Sequence, residues 1–196
     1  DLKRFTLKGI EHVNAVRSSG KPAIFVGAHM ANWELGPIVT AAHGVPLAVA
    51  YRRPNNPFVA SMLDYAREAV APYRMPKGPQ GGLALMRHLK KGGYLGLLID
   101  QKLNEGLRLN FFGLPAMTAP AAAAWALRLK APIFITLIKR RDGARFEIAF
   151  ENLPLPADDT PKNVAAIMQT INNRLEAAIR EAPGQWLWLH RRWVED

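Results

Sequence analysis

Short apolar runs alternate along this chain with helical patterns of ten or more residues, and that alternation restricts the fold more than any other feature. Residues 23–28 (AIFVGA), 45–51 and 94–100 (YLGLLID) read as strands. Helical patterns cover 31–42 (ending at Gly44), 57–70, 81–91 (stopped by Gly92-Gly93), 119–130 and 160–180, the last opened by a Thr160-Pro161 cap. Residues 132–140 and 145–151 flank Asp142-Gly143, the signature of a hairpin turn. Residues 101–118 read as a long irregular segment. The expectation is one α/β domain over residues 1–196. Its central sheet is mostly parallel and flanked by helices, with an antiparallel hairpin near the C-terminus. Sites in such sheets gather at the carboxyl ends of strands, which directs attention to the residues after Ala28, after Tyr51 and at Asp100.

Composition excludes several classes. With 196 residues, 49% apolar and 21% charged, the chain can bury a core of its own. Its longest apolar stretch, 119–127, is far too short to span a membrane, and no signal-peptide pattern opens it. The absence of cysteine removes disulfides, thiolate metal sites and thiol nucleophiles. The net charge of +10 is uneven: residues 1–100 carry 13 basic and 6 acidic side chains, residues 101–196 carry 13 and 10. Such an excess points to an anionic partner, although a merely solvated basic face fits it as well.

After the first strand stand His29 and Glu34, separated by four residues. On one continuous helix they would lie roughly 140° apart, so they meet only if His29 sits in a strand-to-helix turn. There a carboxylate can hold an imidazole in its basic tautomer. A turn histidine bonded to backbone fits the bare spacing equally, and no His pattern indicates a metal. Arg52 and Arg53, after the second strand, have the planar fork that suits phosphate, or are a solvated basic loop. Asp100 ends an apolar strand and either pairs with those arginines, orients substrate or caps the next loop. The apolar segment from Phe111 through Phe112 to Thr118 either lines a channel for a hydrocarbon chain or packs in the core. Trp186, Trp188 and Trp193 interleave with His190-Arg191-Arg192, as in an interfacial anchor or an ordinary packed tail.

In this order these residues resemble the bacterial lipid A biosynthesis acyltransferases, the lauroyl/myristoyl branch of the lysophospholipid acyltransferase superfamily. The resemblance runs from about Lys8 to Trp193. It rests on the His-x4-Glu box with its Asn-Trp-Glu ending, Tyr-Arg…Asn-Pro, the Asp-Gln strand end, Phe-Phe-Gly-x-Pro-Ala-x-Thr, and the terminal Trp-x-His-Arg-Arg-Trp. It implies a glycerolipid acyltransferase-like fold, His29 as general base and Glu34 as its orienting carboxylate. Arg52, Arg53, Asp100, Asn32, Phe111, Phe112 and Thr118 would then serve substrate. It implies transfer of an acyl chain from an acyl-carrier-protein or CoA thioester to a hydroxyl of a phosphorylated glycolipid, with no metal or other cofactor. The setting would be lipopolysaccharide biosynthesis at the cytoplasmic face of the inner membrane. One departure is Ala31, where these enzymes usually have Gly. Another is the front of the chain: the family's N-terminal membrane-anchor region is expected to be missing. Two other readings stand beside this one. The acceptor could be a lysophospholipid, an ornithine lipid or a phosphatidylinositol mannoside. A basic nucleic-acid-binding module is poorly supported, since no helix-turn-helix, zinc-finger or RNP-like pattern is present, so no nucleic-acid partner is expected.

Overall fold

The computed structural model describes residues 2–51, 54–68, 72–189 and 191–193. Arg52 and Arg53, two of the expected anion-reading residues, lie outside the described residues. In chain order the elements are β1 (Phe5–Lys8), α1 (Ile10–Ser19), β2 (Ala23–Gly27), α2 (Leu35–Ala42), β3 (Leu47–Tyr51), α3 (Pro57–Glu68), β4 (Tyr73–Pro76) and α4 (Pro79–Lys90). They continue with β5 (Tyr94–Leu98), β6 (Leu107–Phe111), β7 (Leu114–Thr118), α5 (Ala121–Leu129), β8 (Ile133–Asp142), β9 (Arg145–Leu153) and α6 (Pro161–Glu181).

Seven strands form one sheet in the order β1-β9-β8-β2-β5-β3-β4. The run from β8 to β4 is parallel, and β9 returns antiparallel to β8 with β1 parallel to β9. This is the mostly parallel sheet with a C-terminal hairpin that the alternation implies. β2, at its centre, is buried along its whole length because both faces are covered. Ile24 and Val26 join a core with α4, α5 and α6 on one face, while Ala23 and Phe25 join a second core with α1 and α2 on the other. α6 contributes a single stripe, Val164, Ile167, Met168, Ile171, Leu175 and Ile179, at the 3.6-residue period. Its first turn is closed as expected, with the Asn163 N–H donating to Thr160 Oγ1 at 3.2 Å.

The segment 101–118 is not irregular. It contains the two-stranded antiparallel sheet β6-β7, which the alternating burial of Leu107, Leu109 and Phe111 supports. The turn between them places Phe112 (φ 55°) and Gly113 (φ 78°) in the left-handed region that such two-residue turns require. A phenylalanine in that position hides the turn from a reading based on Gly and Asn. The helix expected from Ala31 begins at Leu35, and residues 29–34 form a tight connector instead. β1 and β4 are four-residue edge strands, too short and too polar for periodicity to register.

Candidate active site

The connector after β2 is pinned from both sides. The Ala31 N–H donates to Gln185 O at 2.7 Å, and the Leu187 N–H donates to His29 O at 2.8 Å. Ala31 itself has φ 48°, in the left-handed region that favours glycine. Held in this turn, His29 meets Asp100, which lies two residues beyond β5. The Nδ1 of His29 is 2.8 Å from Asp100 Oδ1, and the His29 backbone N–H donates to Asp100 Oδ2 at 3.1 Å. The Trp186 indole N–H donates to the same Oδ2 at 2.9 Å.

Burial alone would push the Asp100 carboxyl up. The hydrogen bonds and charge of His29, with the Trp186 N–H, outweigh it and hold the group below its ordinary range. An ionised Asp100 accepts a proton on Nδ1, so the lone pair of Nε2 faces the open side. There the Gln101 side-chain amide stands 3.4 Å from Nε2, and Lys77, just after β4, donates to Gln101 Oε1 at 3.2 Å. The Trp33 ring meets the imidazole edge-on with centroids 5.2 Å apart.

Nε2 opens onto a cavity of about 360 Å³, between the sheet and α2. Its mouth carries His29, Glu34, Tyr51, Lys77 and Gln101; its interior is apolar, with Phe25, Pro37, Leu47, Val49 and Leu98. Gly27, Gly36 and Gly96 keep side chains out of it. A Cβ on Gly36 would only touch Ile138 and Thr136 at 3.6 Å, whereas one on Gly96 would crowd Leu47 at 3.0 Å. No group of three or more His, Cys, Asp or Glu residues suited to a metal occurs among the described residues.

Several expected site residues sit elsewhere or in another role. Asp100 is not among the cavity-lining residues: its side chain is 2% exposed and both oxygens are bonded within the protein. Glu34 lines the cavity at the start of α2, but the carboxylate on His29 Nδ1 is Asp100. Asn32 gives its carbonyl to the Leu35 N–H and is not among the lining residues. Phe111, 1% exposed, packs with Phe112, Trp186 and Trp193 rather than into the cavity. Phe112 stacks on Trp186 with Arg180 over its ring.

Thr118 is fully buried, and Arg192 Nη2 donates to its hydroxyl at 2.8 Å while Nη1 donates to Met117 O at 2.7 Å. The apolar 111–118 segment is therefore a packing unit, and Arg192 is its internal tie. Burial lowers the Arg192 pKa, opposed by the charge of Asp100. Arg192→Ala removes two hydrogen bonds from a charged donor, each worth about 1.5–3 kcal/mol, while Met117 O keeps the Leu103 N–H and Thr118 Oγ1 keeps the Asn172 amide. Thermal unfolding should show a loss of about 3 kcal/mol or more. A variant that melts with the wild type would rule the tie out.

Sequence reasoning missed Trp186, Lys77 and Gln101 as parts of the site. Lys77 was hidden with its strand, since the Gly78-Pro79 that follows marks a strand-to-helix turn only once β4 is seen. Gln101 carried a signal in its place beside Asp100 at a strand end. Nothing local to Trp186 signals a partner 86 residues away.

The sequence profile of the family described as bacterial lipid A biosynthesis acyltransferase matches residues 2–195. The chain belongs to this family. Among its relatives, a lipid A biosynthesis acyltransferase of Haemophilus influenzae is 24% identical over 95% of this chain and 58% of its own length. A phosphatidylinositol mannoside acyltransferase of Mycobacterium tuberculosis is 27% identical over 96% of this chain and 60% of its length. The lipid A biosynthesis lauroyltransferase of Escherichia coli is 27% identical over 94% and 60%. The chain thus spans about three-fifths of the length of these relatives. The fold is also that of the crystal structure of the 1-acyl-sn-glycerophosphate acyltransferase PlsC from Thermotoga maritima. That match has a TM-score of 0.51 at 11% identity, covering 93% of this chain and 73% of that one.

Proposed function

We propose that the protein transfers a fatty acyl chain from a thioester donor to a hydroxyl of a phosphorylated glycolipid of the lipid A type. The observation that carries this reading is the His29–Asp100 pair at the mouth of an apolar cavity, in a chain of this family. The reaction is base-assisted acyl transfer. His29 Nε2 takes the proton of the acceptor hydroxyl as its oxygen attacks the thioester carbonyl. Asp100 fixes the tautomer and stabilises the imidazolium that forms. The tetrahedral intermediate collapses with loss of the thiolate, which recovers the proton from Nε2. The Gln101 amide, tied to Lys77, lies where it can donate to developing negative charge. Glu34 also lines the cavity.

The acyl chain of the donor, an acyl-carrier-protein or CoA thioester, occupies the cavity lined by Val49 and Leu98. Gly36→Leu places a branched side chain in this space, against Ile138 and Thr136. Offered a mixture of thioesters, that variant should shift its preference to shorter acyl chains. An unchanged product distribution would put the acyl chain elsewhere.

Transfer is direct, without an acyl-enzyme. Ser18 and Ser19 donate to backbone carbonyls within α1, and Ser61 lies on the exposed side of α3. Thr136 lines the cavity with a hydroxyl that has no partner among the described residues, and so has no base to activate it. Intact-protein mass spectrometry after incubation with donor alone should show no added acyl group. A stable adduct that adding acceptor discharges would overturn the direct mechanism. The decisive experiment for the function is reconstitution: purified protein, acyl thioester and a lipid A precursor should yield a product heavier by one acyl group. A preference for a phosphatidylinositol mannoside would favour the other acceptor class.

A further inference from the structure

Two exposed apolar patches flank the cavity that holds His29, and the catalytic reading uses neither. The first is on α3. One side of this helix packs inward, with Ala60 buried at 1% exposure and Leu63 lining the cavity. The other side presents Phe58, Met62 and Tyr65, which are 85%, 63% and 84% exposed and recur at the four- and three-residue intervals of a single helical stripe. The second patch is the segment Leu187-Trp188-Leu189, tied directly to the site by the bond from the Leu187 N–H to His29 O. The Trp- and Arg-rich tail therefore divides: Trp186 and Trp193 pack beneath, and Trp188 and Leu189 stand outward.

Apolar surface of this kind marks a partner. Lys77 and Lys102 are exposed on the loops after β4 and β5, and the chain carries +10 overall. Such a charge repels a second copy of the same chain and attracts an anionic surface. Aromatic and aliphatic side chains beside lysines are the composition of a protein face lying in a membrane interface.

We propose that the α3 stripe and the 187–189 segment seat the protein on an anionic lipid bilayer, so that the mouth of the His29 cavity opens at the lipid headgroups. The partner is a bilayer surface, bound peripherally. Its purpose rests on the lipid-acyltransferase reading, because a lipid acceptor must reach Nε2 without leaving its membrane.

The absence of cysteine makes the test clean. Met62→Cys and Leu189→Cys each give one site for an environment-sensitive fluorophore, and Lys162→Cys at the start of α6 serves as control. On adding vesicles of equimolar phosphatidylglycerol and phosphatidylcholine, the labels at 62 and 189 should shift to the blue, and that at 162 should not. Binding to pure phosphatidylcholine should be about tenfold weaker or more. A Phe58→Ser/Met62→Ser/Leu189→Ser variant should lose vesicle binding about tenfold or more. It should still transfer acyl chains to a detergent-dispersed acceptor. Unshifted labels at both positions overturn the proposal. So does a blue shift that grows with protein concentration in the absence of vesicles, which would assign the patches to self-association. The two readings fail separately: absent transfer with vesicle-dependent shifts strikes the function alone, and transfer in detergent without shifts strikes the seating alone.

Discussion

Replacing His29 with alanine should reduce acyl transfer by about 10²–10⁴-fold, the usual loss when a positioned general base is removed. The large effect follows from the placement of Nε2, whose lone pair faces the cavity while Nδ1 is committed to Asp100. Among the described residues no other imidazole lines the cavity: His12 stacks on Phe134, His43 is bonded to Asn14 and His88 packs against Tyr73. Stability should fall only modestly. The variant leaves Asp100 Oδ1 without its partner, a loss of about 1–3 kcal/mol, but Oδ2 keeps both of its donors. Circular dichroism and thermal unfolding separate the two effects: the fold should be retained and turnover lost. Retention of more than half of the wild-type rate would remove His29 from the chemistry.

The sequence made the sheet legible wherever strands were continuous apolar runs, as in β2 and β5, because such runs leave no alternation to misread. It failed where the signal was local chemistry of an unusual kind. A phenylalanine in a left-handed turn concealed β6-β7, and four-residue edge strands gave no period to count. The candidate site shows the same division. His29 and Glu34 were visible as a spacing, and the turn that brings His29 to a strand end was the condition attached to it. The partner of His29 was not visible, because Asp100 is 71 residues away and only the parallel pairing of β2 with β5 brings the two strand ends together. Nor could the sequence distinguish an apolar loop that lines a channel from one that packs on its own tryptophans. That choice depends on Arg192 and Trp193, which reach back 74 and 82 residues to Thr118 and Phe111.

Asp100→Asn should be nearly as damaging as the loss of His29, although it changes one atom. Two donors converge on Oδ2, the His29 backbone N–H and the Trp186 indole N–H. An asparagine satisfies both only by turning its amide oxygen toward them, which leaves its NH₂ facing His29 Nδ1. That nitrogen must then accept, the ring proton moves to Nε2, and the base has no lone pair for the acceptor hydroxyl. In a His–Asp pair of this kind the wrong tautomer costs about 10⁴ in kcat. Two further measurements separate this mechanism from simple unfolding. The downfield proton resonance of an Nδ1–H bonded to a carboxylate should be present in the wild type and absent in Asp100→Asn. It should survive in Glu34→Gln, whatever that substitution costs in turnover, because Glu34 is not the group on Nδ1. The second measurement is stability against pH. A carboxyl held below its unperturbed value of 3.8 contributes stability that is complete above that value and is lost as pH falls through the lower folded value. The wild type should therefore lose this contribution below about pH 3.8, and Asp100→Asn should lack it throughout. Full turnover in Asp100→Asn, with the downfield resonance in place, would show that another group holds the imidazole.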